Sequence, residues 1–275
     1  MYLAVTAVFR NESKYIREWV AWHRLQGVEF FLLVDNNIDE AEKEATRCAL
    51  RDYLARGVVE IVDTPPLKRH FQIDSYFMAV DRMKGITKWL AIIDIDEFIQ
   101  PTSVLTIPQV LRLFEPIPNI ASLSLNWAVF GTSGIKLRPE LCIQAFTRRT
   151  IEDDQINRHL KQIVMPHRIK KAGIHYSLPL NGFSAIDTKR RKRNGMYKLD
   201  SVYWGFLRVV HYMTRSEQCW ADKEKRGFPS VQEDRLWTAK EWASRKKELK
   251  RTNSVVDMSM TVHTAAVINE MNNPK

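Results

Sequence analysis

Cysteine is scarce in this sequence. Its three cysteines, Cys48, Cys142 and Cys219, stand far apart, and no two form a CxxC pair. That pattern argues against a disulfide framework and a zinc site, and favours a reducing compartment. Long apolar runs are also missing. No stretch is long enough and free enough of charge to cross a bilayer. The opening Met1-Tyr2-Leu3-Ala4-Val5-Thr6-Ala7-Val8-Phe9-Arg10 lacks the basic n-region of a signal peptide and reads as a first buried strand. There is no internal repeat and no clear interdomain linker. Glycine is absent from Arg10-Asn11-Glu12-Ser13. A nucleotidyltransferase would need a Gly-rich basic loop there, which disfavours that alternative.

What is present suits a folded enzyme. The chain has 275 residues and is 45% hydrophobic, ample for one large α/β domain with or without a C-terminal extension. Its formal net charge of +10 favours anionic partners such as nucleotide diphosphates or anionic lipids. A basic nucleic-acid or membrane-surface binding module is a rival from a different class, resting on that charge and the run from Lys189 to Arg193. No zinc spacing or RNA-binding signature accompanies it, so no nucleic-acid partner is expected.

Apolar runs at Leu3 to Val8, Phe30 to Val34, Val58 to Val62 and Trp89 to Ile93 predict four strands. Helical spacing separates them: Ile16, Trp19, Val20 and His23, with Ser13 as cap and Gly27 as stop; then Ala45, Leu50 and Leu54; then Ile73, Tyr76, Phe77, Val80 and Met83 after a Pro65-Pro66 loop. Strand–helix alternation predicts βαβ units and a mainly parallel sheet. Further strands are expected at Ala121 to Leu125, Lys161 to Met165 and Val209 to Tyr212. Residues 187–198 read as a basic surface loop. Two basic helices are expected near Glu217 to Arg226 and Thr238 to Arg251.

The chemistry centres on Asp94-Ile95-Asp96-Glu97, which follows a fully apolar strand. Ligands of parallel α/β sheets bind beyond the carboxyl ends of the strands. Three carboxylates there repel one another, and a hard divalent cation, manganese or magnesium, would offset the repulsion. Asp96 is assigned to the metal, and Asp94 to the ribose or donor sugar, directly or through the metal. The plain alternative is a strand end with solvated acids.

Ordered blocks surround that centre. They are Arg10-Asn11-Glu12, then Tyr15-Ile16-Arg17-Glu18-Trp19-Val20 with His23; Gly27-Val28 leading to Val34-Asp35-Asn36; Gln72 with Tyr76; Lys88-Trp89-Leu90; Ile93 through Phe98; Asn126-Trp127 with Phe130-Gly131; and His211-Tyr212 through Ser216, Lys223, Arg226 and Gly227. In this set the sequence resembles glycosyltransferase family 92 and its bacterial family 2-like relatives. The resemblance implies an α/β GT-A (Rossmann-like) nucleotide-diphospho-sugar transferase fold, with a mainly parallel central sheet flanked by helices and a helical C-terminal extension. It places a catalytic domain at 1–212, with a nucleotide-binding half at 1–100 and an acceptor half at 101–212, and the extension at 213–275 on the same domain. It implies an inverting transfer of a hexose, such as galactose, from a UDP-sugar to a glycan or lipid-linked acceptor, with a DxD-bound manganese or magnesium. Animal members carry an anchor and stem. This sequence shows neither, so a cytoplasmic setting is expected, with peripheral contact to an anionic membrane at its inner face.

The remaining candidates follow from position. Arg10, Asn11 and Asp35 end the first two strands, where base and ribose would sit; capping is the alternative role for Asn11 and Asp35. Gln72 opens a helix beside the nucleotide. His211 and His175 are candidate metal ligands. Trp127 and Phe130 are candidate acceptor-stacking rings, with core packing as the alternative. Lys161, Arg168, Lys223 and Arg226 are candidates for the diphosphate. Inversion needs a general base. Glu233-Asp234 resembles the acidic pair that supplies it in many GT-A enzymes, so Asp234 is assigned, with Asp153, Asp154 and Asp222 as rivals.

Overall fold

The computed structural model describes residues 1–64, 71–193, 195, 197–226, 238 and 250–274. Its first half is the predicted alternation: β1 (Leu3–Phe9), α1 (Ile16–Leu25), β2 (Phe30–Asp35), α2 (Glu40–Ala55), β3 (Val59–Asp63), α3 (Phe71–Met83) and β4 (Trp89–Ile92). The strands β3-β2-β1-β4 lie side by side and run parallel. β1 explains why such strands are apolar throughout. Leu3, Val5, Ala7 and Phe9 enter one core cluster, while Ala4 enters another on the opposite face.

The second half is mixed. It comprises β5 (Glu97–Pro101), α4 (Ile107–Arg112), β6 (Ile120–Val129), α5 (Cys142–Ala145), β7 (Arg148–Arg149), β8 (Leu160–Val164), β9 (Ile169–Lys171), β10 (Leu178–Pro179), β11 (Ser184–Asp187), β12 (Lys192–Arg193) and β13 (Leu207–His211). β8 is antiparallel to both β4 and β6 and joins the two halves. β13 pairs in parallel with the far end of β6 and antiparallel with β5. β6 is twice the predicted length because β8 and β11 flank its first part and β13 its last. The architecture is the α/β fold with a central, mostly parallel sheet that the sequence predicts. Among the described residues no helix is long and apolar enough to cross a membrane.

Some local expectations are corrected. Ser13 does not cap α1: its N–H donates to Glu42, and the Glu12 carbonyl accepts from Tyr15 and Ile16 instead. Gly27 does terminate the helix. Its φ of +92° is left-handed, and a Cβ there would meet the Pro108 ring at 2.9 Å. Phe77 leaves the buried face of α3, which is Tyr76, Ala79, Val80 and Met83. Part of the expected basic loop pairs as β12 against β11. The extension is not purely helical. α6 (Glu217–Arg226) is followed by β14 (Val255–Val256), paired to β7, and by α7 (Thr264–Asn272). α7 folds back on the first helices, where Arg17 donates to the Met271 carbonyl and Tyr53 to the Glu270 carbonyl. These bonds satisfy helix-end carbonyls that lack partners within the helix. Most of the second expected basic helix lies outside the described residues.

Candidate active site

β4 delivers its chain to a tight turn, Ile93 to Asp96, closed by the Glu97 N–H on the Asp94 carbonyl at 3.0 Å. Both sides of the turn are anchored. Tyr212 donates its N–H to the Asp96 carbonyl, and Arg215 donates to the Ile95 carbonyl. The Trp19 and Trp22 indoles donate to the Glu97 and Ile99 carbonyls, and the Ile99 N–H donates to His23 Nε2. One face of α1 therefore holds β5 through polar edges set in an apolar core.

Asp94 accepts from three side chains. Oδ1 takes the Tyr76 hydroxyl at 2.8 Å and the Gln72 amide at 3.3 Å, and Oδ2 takes the Lys161 ammonium at 2.7 Å. Lys161 also meets Glu97 Oε2 at 3.2 Å. Burial opposes ionisation of Asp94, but Lys161 outweighs it and holds the carboxyl below its usual range. Glu97 has no such surplus. Burial pushes it up to about 8 against the pull of Lys161, and its Oε1 has no hydrogen-bond partner. The Lys161 side chain is 0% exposed and committed to both carboxylates. This departs from the expectation that Lys161 reaches the donor phosphates, since its fully buried ammonium is spent on internal carboxyl groups.

Asp96 faces other partners. Lys223 of α6 lies 2.6 Å from Oδ2, and His211 Nε2 lies 3.5 Å from Oδ1. Burial works against its charge, yet Lys223 and His211 together hold its carboxyl well below the usual range. Burial lowers the His211 imidazole, against the pull of Asp96, and its Nδ1 has no hydrogen-bond partner. Burial and then Lys161 push His175 down to about 4, and its Nδ1 pairs with the Leu160 carbonyl. Among the described residues, no three His, Cys, Asp or Glu gather as a metal cage.

Trp127 links these groups. Its ring lies 4.4 Å from that of His211 and 5.7 Å from that of His175, and stacks on His159 at 4.7 Å. Only 8% of Trp127 is exposed. Phe130 is 0% exposed and meets Tyr212 edge-on. This corrects its expected acceptor role, because a ring inside the core shows no face to a sugar.

Arg10, Asn11 and Asp35 share a neighbouring loop cluster at the ends of β1 and β2. Arg10 donates to the Asn36 carbonyl at 3.0 Å and to its side chain. Asn11, at φ +57°, donates its N–H to Asn37. Asp35 Oδ1 caps the Asn37 N–H at 2.7 Å; Oδ2 makes no hydrogen bond and faces Arg47 at 3.8 Å. Burial raises the Asp35 carboxyl despite that arginine. Arg168 stands over Phe183 and donates to the Ile120 carbonyl. Asp154 caps Ile156, and Asp222 pairs with Arg138. Asp234 and Gly227 lie outside the described residues.

Sequence reasoning missed two contributions. His159 had no signal of its own, since its stacking partner comes from another strand. The Arg215–Glu12 pair at 2.5 Å had no local signal, since its partners lie far apart in the chain.

Against known proteins, the family model described as glycosyltransferase family 92 matches residues 2–250. A family 92 protein of Oryza sativa subsp. japonica is 26% identical over 237 residues, covering 80% of this chain and 35% of its own length. One of Ricinus communis is 26% identical over 145 residues, covering 50% of this chain and 24% of its own. The chain thus spans a minor part of these relatives' length. A distant structural likeness is S. aureus TarS 1-349 in complex with UDP-GlcNAc, at 14% identity and TM-score 0.39, covering 72% of this chain and 60% of that one.

Proposed function

The chain belongs to glycosyltransferase family 92, and on that premise we propose that it transfers a hexose from a nucleotide-sugar donor, UDP-linked, to a glycan or lipid-linked acceptor with inversion. The observation that carries this reading is the acid turn beyond β4, where Asp94 and Asp96 point at separate partners from one rigid scaffold. Asp94 has about four acceptor positions as a carboxylate. Three are filled from Tyr76, Gln72 and Lys161, which leaves one for a ribose or sugar hydroxyl.

Manganese or magnesium fits the remaining donors. Asp96 supplies hard oxygens, and His211 presents a neutral nitrogen to the same place. Two protein ligands suffice where phosphates and water complete the shell. Bound there, such an ion would offset the charge on the departing nucleoside diphosphate. His175, whose ring lies 5.7 Å from that of Trp127, is a reserve donor. The base yard opposite is assigned to Arg10, Asn11 and Asp35, and the acceptor edge to Trp127. Asp234 is proposed as the general base on sequence grounds. A cytoplasmic location, with contact to an anionic membrane surface, is part of the proposal.

The test is release of UDP from UDP-hexoses by pure protein with manganese and mixed acceptors. Asp96→Asn should lower turnover at least ~100-fold; it also removes the counter-charge of Lys223, so turnover is compared below the variant's melting temperature, where circular dichroism shows it folded. Full activity in that variant would sink the assignment. Release of pyrophosphate instead of UDP would favour nucleotidyl transfer.

A further inference from the structure

The two lysines at the acid turn differ in a way that the reading above does not use. Lys161 is sealed in, at 0% side-chain exposure, between two carboxylates of the sheet core. Lys223 is 12% exposed and sits on α6, outside the sheet. Its ammonium is held by Asp96 Oδ2 at 2.6 Å and the Met213 carbonyl at 2.8 Å. One oxygen of the proposed metal ligand is thus already neutralised by a cation that belongs to the chain. The other faces His211 at 3.5 Å, longer than a good hydrogen bond.

We propose that Lys223 is a place-holding cation: it occupies the proposed metal position on Asp96 in the donor-free protein and passes to the donor's diphosphate when metal and nucleotide bind together. This rests on the reading above. A lysine is suited to the exchange because its ammonium is a point charge on a flexible stem, able to serve a carboxylate or a phosphate. Lys161 cannot take part, since its side chain is fully buried and leaving would strip Asp94 of its counter-charge. The arrangement couples the two ligands. Metal alone must displace Lys223 into solvent without a new partner. Metal with a nucleoside diphosphate gives the displaced ammonium an anion, so each ligand raises the affinity for the other. Lys223 then meets the leaving group as its charge develops, which makes it a catalytic residue.

Calorimetry with manganese alone, UDP alone and both together tests this on wild-type protein, Lys223→Met and Lys223→Gln. The glutamine variant retains a donor for the Met213 carbonyl, so it keeps the test alive if the methionine variant folds poorly. Removing the ammonium should tighten manganese binding without nucleotide by about ten-fold. The enhancement of manganese affinity by UDP should be large in wild type and shrink by about the same factor in the variants. Manganese binding no tighter in either folded variant, or an unchanged UDP enhancement, overturns the exchange. Wild-type protein that binds neither manganese nor UDP would instead overturn the transferase reading.

Discussion

Lys161 Nζ lies 2.7 Å from Asp94 Oδ2, across the antiparallel pairing of β8 with β4. The contact ties the strand joining the two halves of the sheet to the acid turn. The same ammonium meets Glu97, so one buried cation serves two carboxylates on the turn.

Removing that cation should be costly. Lys161→Met leaves the Asp94 carboxylate without its counter-charge beside the largely protonated Glu97, and stability should fall by about 3–5 kcal/mol. Urea denaturation followed by tryptophan fluorescence measures it. Adding Asp94→Asn should restore part of the loss, because it removes the stranded charge. A single variant as stable as wild type would show that the pair does not hold the turn.

A buried histidine predicts a pH dependence. His23 is fully buried, with Nδ1 on the Trp19 carbonyl and Nε2 accepting from the Ile99 N–H. Burial pushes its pKa down to about 3, against an ordinary 6.5. The folded state therefore favours neutral imidazole. Its contribution is fully present above 6.5 and is lost as pH falls toward about 3. The slope approaches ~1.4 kcal/mol per pH unit within that window. His23→Leu should remove this component of the slope between pH 6.5 and 5, while losing about 1–3 kcal/mol at pH 7.5 because the Ile99 N–H is left unpaired. Chemical denaturation of both proteins at several pH values checks it; identical slopes would contradict the assignment.

The two aromatic candidates should separate by what they change. Phe130→Ala empties a core site against Tyr212 and should lose about 3–5 kcal/mol of stability. Trp127→Phe keeps most of the volume, with a loss below about 2 kcal/mol. It should instead lower kcat/KM with the acceptor, because Trp127, unlike Phe130, packs directly on the His211 ring beside Asp96. Equal stability losses, or an unchanged kcat/KM in the Trp127 variant, would assign both rings to the core.

The sequence by itself determined the local features. Apolar runs and helical spacing fixed four parallel strands and their helices, and a carboxylate pair directly after a strand had to stand beyond that strand's carboxyl end. Gly27 marked a helix end because its backbone is left-handed there. Tertiary structure decided which charges meet. Lys161 lies 67 residues from Asp94, Lys223 lies 127 from Asp96, and Arg215 lies 203 from Glu12. Sequence periodicity reports which face of one element is buried, not which element will cover it. Only the packed sheet could turn Lys161 from a phosphate candidate into an internal counter-ion and sink Phe130 into the core while Trp127 came to lie against His211.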